Sequence, residues 1–111
     1  MKRGEIWFAD LSPTRGSEIA KRRPVLIVSN DANNRASSTI TVLPITSNVT
    51  RVYPFEVFLA SAECGLPKDS KIQAQQIRTI AKERIIGNSM GKLDKEKSRE
   101  VDAAIRLHLG V

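Results

Sequence analysis

Gly16-Ser17-Glu18-Ile19-Ala20-Lys21-Arg22-Arg23-Pro24-Val25-Leu26-Ile27-Val28-Ser29-Asn30 is the stretch on which the reading of this chain turns. Its first half is polar, opened by a glycine and closed by three consecutive bases. Its second half is an unbroken apolar run rich in β-branched residues. That run is too short for a typical helix and follows a proline, so it predicts a strand from Pro24 to Ser29, buried on both faces. Arg23 then stands where a polar loop meets a rigid strand. A side chain that must hold a charged group in place is better mounted there than at a loop tip.

Outward from this strand, short β patterns dominate. Gly4 to Leu11 predicts a first strand with apolar residues on both faces. Ser12 to about Arg22 is loop chemistry, long for a hairpin, and therefore a candidate lip over a ligand site. Asn30 to Ser38 reads as a polar connection. Thr39 to Thr46 is a second β-branched strand, and Pro44 marks it as an edge or as interrupted there. Val52 to Leu59 alternates, with Tyr53, Phe55, Val57 and Leu59 on one face. Cys64 to Asp69 reads as a loop. Ile72 and Ala74 fall in one phase and Ile77 and Thr79 in the other, so a bulge or bend is predicted near Gln75-Gln76. Ala81 to Arg84 suggests a short turn, and Ile85 to Lys92 a weak last strand. Asp94 is a good N-cap for a helix over Lys95 to Leu109 that stops at Gly110. Its apolar stripe is Val101, Ala104, Ile105, His108 and Leu109. Many strands followed by one helix predict a mainly β domain over residues 1–111, a small bent sheet or barrel with a C-terminal α-helix across it.

Charge narrows the partner. The net charge is +6 over 111 residues. Between Leu11 and Val52 six bases face two acids, so four of the surplus charges lie in that segment. A localised basic surface points to a polyanion, nucleic acid first, or simply to solubility. One cysteine rules out an internal disulfide, and no apolar run is long enough to span a bilayer. A cytoplasmic protein is the expectation.

Elimination narrows the chemistry. One His and one Cys, far apart in sequence, do not make a zinc site. His108, in the stripe of the last helix, is expected to be structural or superficial, and Cys64 inert. There is no glycine-rich phosphate loop and no dinucleotide fingerprint. No metal and no cofactor is expected. What remains is arginine and hydroxyl chemistry on a phosphate. A guanidinium grips two phosphate oxygens with fixed geometry, and a threonine hydroxyl can donate to a third. If the substrate is RNA, the ribose 2′-hydroxyl is the nucleophile, and the protein's task is positioning and electrostatic stabilisation.

Lys21 to Asn30 resembles the "RPV(L/V)V" signature of the MazF/PemK-type endoribonuclease toxins of bacterial toxin–antitoxin modules. Gly4-Glu5-Ile6-Trp7, Arg15-Gly16-Ser17-Glu18, Pro44-Ile45-Thr46-Ser47, Tyr53-Pro54-Phe55-Glu56-Val57 and Gln76-Ile77-Arg78-Thr79-Ile80 resemble further family segments in the same order. The resemblance implies a small SH3-like β-barrel of the MazF/PemK/CcdB type, working as a homodimer. It implies metal-independent, sequence-selective cleavage of single-stranded RNA, leaving 2′,3′-cyclic phosphate and 5′-hydroxyl ends. It also implies a cognate MazE-like antitoxin as partner. Arg23 matches the family's catalytic arginine, Thr46 its catalytic threonine, and Glu18 an acidic loop residue that contributes in some members. A carboxylate such as Glu18 is the better general-base candidate, because arginine stays protonated.

Arg15, Ser17, Lys21, Arg22, Asn48, Arg51, Gln75 and Gln76 are the candidate RNA contacts: bases for phosphates, amides for base edges. Gln75 stands where many members carry an acid. Trp7 and Phe8 could stack on bases, but adjacent strand aromatics fit a core better. Two other functions stay open for this fold: a gyrase-binding toxin that cuts nothing, and a module that only binds nucleic acid.

Overall fold

The computed structural model describes residues 1–18 and 21–111. Its strands are β1 (Glu5–Asp10), β2 (Arg22–Ile27), β3 (Thr39–Thr46), β4 (Glu56–Leu59), β5 (Ser70–Gln73), β6 (Arg78–Ala81) and β7 (Ile85–Lys92). Its helices are α1 (Asp31–Ala36), α2 (Ser61–Cys64) and α3 (Lys95–Leu109). Every ladder is antiparallel, in the order β4-β5-β3-β2-β1-β7, with β6 attached to β3. Among the described residues no ladder joins the two ends of that order. The expected barrel is thus an open, strongly bent sheet.

β2 is the centre of the sheet, as its apolar run requires. Leu26 enters one core cluster with Ile6, Leu43, Ile45 and Ile72. Val25 and Ile27 enter a second with Ala9, Leu11, Ile40 and Val42. Successive side chains of one strand feed opposite cores, so both faces must be apolar. The first cluster is closed by Val101 and Ala104 of α3. The helix carries its expected caps: Asp94 accepts from the Lys97 N–H, and Gly110 follows in the left-handed region with φ of 74°. Its apolar stripe is only half used, since Ile105 is half-buried and His108 and Leu109 are exposed.

β3 is not an edge strand. Its Thr39–Val42 half pairs β6, and its Ile45–Thr46 end pairs β5. Pro44 sits in the gap between the two partners, where no ladder bond is required of it on that side. The interruption holds and the edge does not. The hand-over is made possible by the turn between β5 and β6. There Ala74–Gln76 form one 3-10 turn, which reverses the phase where the apolar pattern demands it.

Three expectations are corrected. Asn30 to Ser38 is not a plain connection: Asn30 caps α1 by accepting from the Asn33 N–H at 2.8 Å. Six residues are too few for a periodic signal, but Asn30, Asp31 and Arg35 are the cap, first-turn acid and last-turn base of a short helix. The strand expected from Val52 begins only at Glu56. Tyr53 and Pro54 are spent on a turn closed by Glu56 N–H to Tyr53 O at 2.9 Å. The expected Cys64–Asp69 loop is preceded by α2, whose last residue is Cys64.

Candidate active site

The β2–β3 ladder sets Val25 opposite Pro44 and Leu26 opposite Leu43. Carried two places further, the same register brings Arg23 level with Thr46. Both line one pocket of about 360 Å³, together with Phe8, Arg22, Pro24, Ile45, Ser47, Leu66, Pro67, Lys68, Ser70 and Met90. A volume in this range is ordinary for a site that takes a small ligand or one residue of a polymer. One wall is apolar and the rim carries three cations, Arg22, Arg23 and Lys68.

Arg23 is half-buried, and its burial holds the guanidinium below its ordinary value. It remains a cation at neutral pH. A cation stripped of part of its water interacts more strongly with an anion that replaces that water. Thr46 is half-buried at the end of β3, and its hydroxyl oxygen accepts from the Asn48 N–H at 3.2 Å. The hydroxyl keeps its own proton for another acceptor. Asn48 in turn accepts from the Thr50 N–H at 3.3 Å. Thr46 therefore also starts the chain of turns that leads to Arg51.

The first loop is anchored at its root and near its tip. Leu11 N–H donates to Lys21 O at 3.0 Å, and Lys21 N–H to Ser12 Oγ at 3.0 Å. This bracket holds Lys21 at φ of 71°, a conformation that costs a side-chain-bearing residue roughly 1 kcal/mol. Arg78 reaches the Leu11 carbonyl at 3.3 Å, and Arg84 the carbonyls of Asp10 and Ser12. Gln76 donates from its amide to Ser17 O at 3.3 Å. Ile19 and Ala20 lie outside the described residues. Glu18 is exposed and does not line the pocket. Its carboxylate accepts from the Arg15 N–H at 2.9 Å, closing its own turn.

The expected residues thus fall into groups. Arg22, Arg23 and Thr46 share the pocket. Arg15, Ser17 and Lys21 are exposed along the loop beside it, and Asn48 and Arg51 are exposed on the segment that leaves Thr46. The Arg51 guanidinium lies 5.6 Å over the Tyr53 ring, which stacks on Phe55 at 5.4 Å. Gln75 is half-buried and donates to Glu56 Oε2 at 2.6 Å. Phe8 faces the pocket rather than a core cluster, while Trp7 packs against the second core. His108 is tilted against the Phe55 ring at 6.3 Å, and Cys64 is buried with its thiol donating to Ala60 O at 3.3 Å.

Sequence reading missed the far wall of the pocket. Gly65 and Gly91 let the α2 end and β7 approach closely: a Cβ on Gly65 would sit 2.9 Å from the Met90 carbonyl oxygen, and one on Gly91 2.8 Å from the Cys64 carbonyl oxygen. This contact sets Leu66 and Pro67 beside Met90. Two glycines in unrelated segments were the only signal, and a sequence does not say that they meet.

A guanidinium and a hydroxyl lining one basic pocket of a bent β-sheet are groups able to grip a phosphate together. The chain belongs to the PemK-like, MazF-like toxins of type II toxin–antitoxin systems, whose family model matches residues 2–109. It is 46% identical to Endoribonuclease MazF9 of Mycobacterium tuberculosis, over 98% of this chain and 96% of that one. It is 40% identical to Endoribonuclease EndoA of Bacillus subtilis, over 100% of this chain and 96% of that one. A mycobacterial endoribonuclease solved in complex with its cognate antitoxin shares the fold with a TM-score of 0.81 at 24% identity, covering 100% of this chain and 96% of that one.

Proposed function

We propose that this chain is a toxin of a toxin–antitoxin module that cuts single-stranded RNA without a metal, in a sequence-selective way. The observation that carries the reading is the convergence of Arg23 and Thr46, from two strands, on one pocket. A phosphodiester seated there meets the Arg23 guanidinium on two oxygens and the Thr46 hydroxyl on a third contact. The ribose 2′-hydroxyl attacks phosphorus, the bond to the 5′-oxygen of the next nucleotide breaks, and a 2′,3′-cyclic phosphate and a 5′-hydroxyl result. One proton leaves the 2′-oxygen and one arrives at the 5′-oxygen, so no water is consumed in this step. Arg23 stabilises the crowded, doubly charged phosphorane. Glu18, on the loop that leads into Arg22 and Arg23, is the carboxylate assigned to proton removal.

Arg15, Ser17, Lys21, Arg22, Asn48 and Arg51 extend the contact along the strand, and the turn of Gln75 and Gln76 meets its bases, with Gln75 tied back to Glu56. Arg51 over Tyr53 adds a surface on which an unpaired base can stack. The working form is a homodimer in the cytoplasm, silenced by a MazE-like antitoxin whose tail covers the basic pocket. A toxin that binds gyrase, or a module that only binds nucleic acid, has no use for a paired guanidinium and hydroxyl, and the relatives named above are endoribonucleases.

The test is incubation of purified protein with a defined single-stranded RNA in excess chelator. Discrete fragments that disappear with Arg23→Ala support the reading. Intact RNA with the parent protein refutes it.

A further inference from the structure

The deepest charged groups in the molecule lie outside the pocket. Glu56 and Lys71 are only 6% and 8% exposed. They form an ion pair between β4 and β5, with Lys71 Nζ 2.9 Å from Glu56 Oε1. Removing two charges from water costs several kcal/mol per ion, and apolar residues of like size would hold the same space as well. The pair therefore needs a reason other than stability, and its remaining hydrogen bonds supply one. Lys71 Nζ also donates to the Arg51 carbonyl at 2.6 Å. Glu56 Oε1 accepts from the Tyr53 N–H at 3.0 Å. Glu56 Oε2 takes the Gln75 amide at 2.6 Å and the Gln73 amide at 3.4 Å. Lys71 is the ladder partner of Thr46.

One buried carboxylate thus holds two separate segments. One runs from Thr46 through Asn48 and Arg51 to Tyr53. The other is the 3-10 turn carrying Gln75 and Gln76, and Gln76 in turn holds the first loop through Ser17. We propose that Glu56, with Lys71, is a positioning residue that fixes these two RNA-facing segments relative to each other and so sets which bases flank the cut. The proposal rests on the ribonuclease reading. The Gln75 amide donates to Glu56 at 2.6 Å, a bond that an ionised carboxylate at position 75 could not make.

The test compares the parent with Glu56→Leu/Lys71→Met, which removes both charges together, and with Glu56→Gln, which keeps the shape. Each is melted, assayed for kcat and KM on a defined RNA in chelator, and mapped for cleavage ends on a long RNA. Expected are cooperative melting, kcat within about threefold of the parent, KM raised about tenfold, and a flattened base preference around the cut. A variant that folds and keeps the parent's KM and cleavage pattern overturns the proposal. So does loss of cooperative melting in both variants, which would make the pair a requirement of the fold alone. If the parent itself leaves the RNA intact, the ribonuclease reading falls, and the positioning role falls with it.

Discussion

In the proposed mechanism Arg23 and Thr46 act through two or three atoms each, and substitutions there separate chemistry from folding. Arg23→Ala should lower RNA cleavage by about 10²–10³-fold, the usual cost of removing one preorganised charge donor, with cooperative melting retained. Arg23→Lys should recover little, because an ammonium cannot grip two oxygens in a fixed fork. Thr46→Val keeps the strand but loses the hydroxyl and the Asn48 N–H contact. About 1 kcal/mol of stability should go with it, together with most of the cleavage rate. That these two residues share a pocket could be anticipated, because Arg23 opens one β-branched run and Thr46 closes the next, each in a segment that resembles the family's. The pairing of Glu56 with Lys71 could not. In strands that alternate, a charged residue reads as solvent-facing. Only the fold shows that both turn inward and meet between β4 and β5.

At the scale of elements, the instructive cases are the joints. Pro44 and the phase change at Gln75-Gln76 were both visible in the sequence, and they prove to be one event: β3 exchanges β6 for β5 where the 3-10 turn lets the chain switch. The short helix after Asn30 and the turn before Glu56 escaped, because pattern reading needs more residues than either contains. The close crossing of α2 and β7 gives a direct test. In Gly91→Ala the new methyl would lie 2.8 Å from the Cys64 carbonyl oxygen, so the backbone must part. Overpacking of this kind costs about 1–3 kcal/mol, which should lower Tm by several degrees and weaken RNA binding as the Leu66–Met90 wall shifts. The β4–β5 joint predicts an acid response. Burial tends to raise the Glu56 pKa, but hydrogen bonds from the Tyr53 N–H, Gln75, Lys71 and Gln73 outweigh it and leave it below 4.5. A carboxylate lowered on folding stabilises the protein above its unfolded value and loses that contribution as pH falls through the folded one. Stability should therefore drop below about pH 4.5, and drop less in Glu56→Leu/Lys71→Met, as read by urea melts between pH 3 and pH 6.

For the molecule as a whole, the basic segment from Leu11 to Val52 puts Arg15, Lys21, Arg22 and Arg51 on the surface, all exposed, with Arg22 lining the pocket itself. Binding of single-stranded RNA should then weaken as salt rises, with log K falling by about 0.7 per phosphate neutralised in a plot against log salt. A flat plot would remove the electrostatic part of the account. The nuclease assignment itself is tested most directly by the fate of oxygen at the cut. The parent protein is incubated with a defined single-stranded RNA in chelator and ¹⁸O-water, and the fragments are weighed by mass spectrometry. Attack by the 2′-hydroxyl predicts one fragment ending in a 2′,3′-cyclic phosphate free of ¹⁸O and one beginning with a 5′-hydroxyl, both absent with Arg23→Ala. Uncut RNA, or ¹⁸O in a newly formed 5′-terminal phosphate, would contradict it.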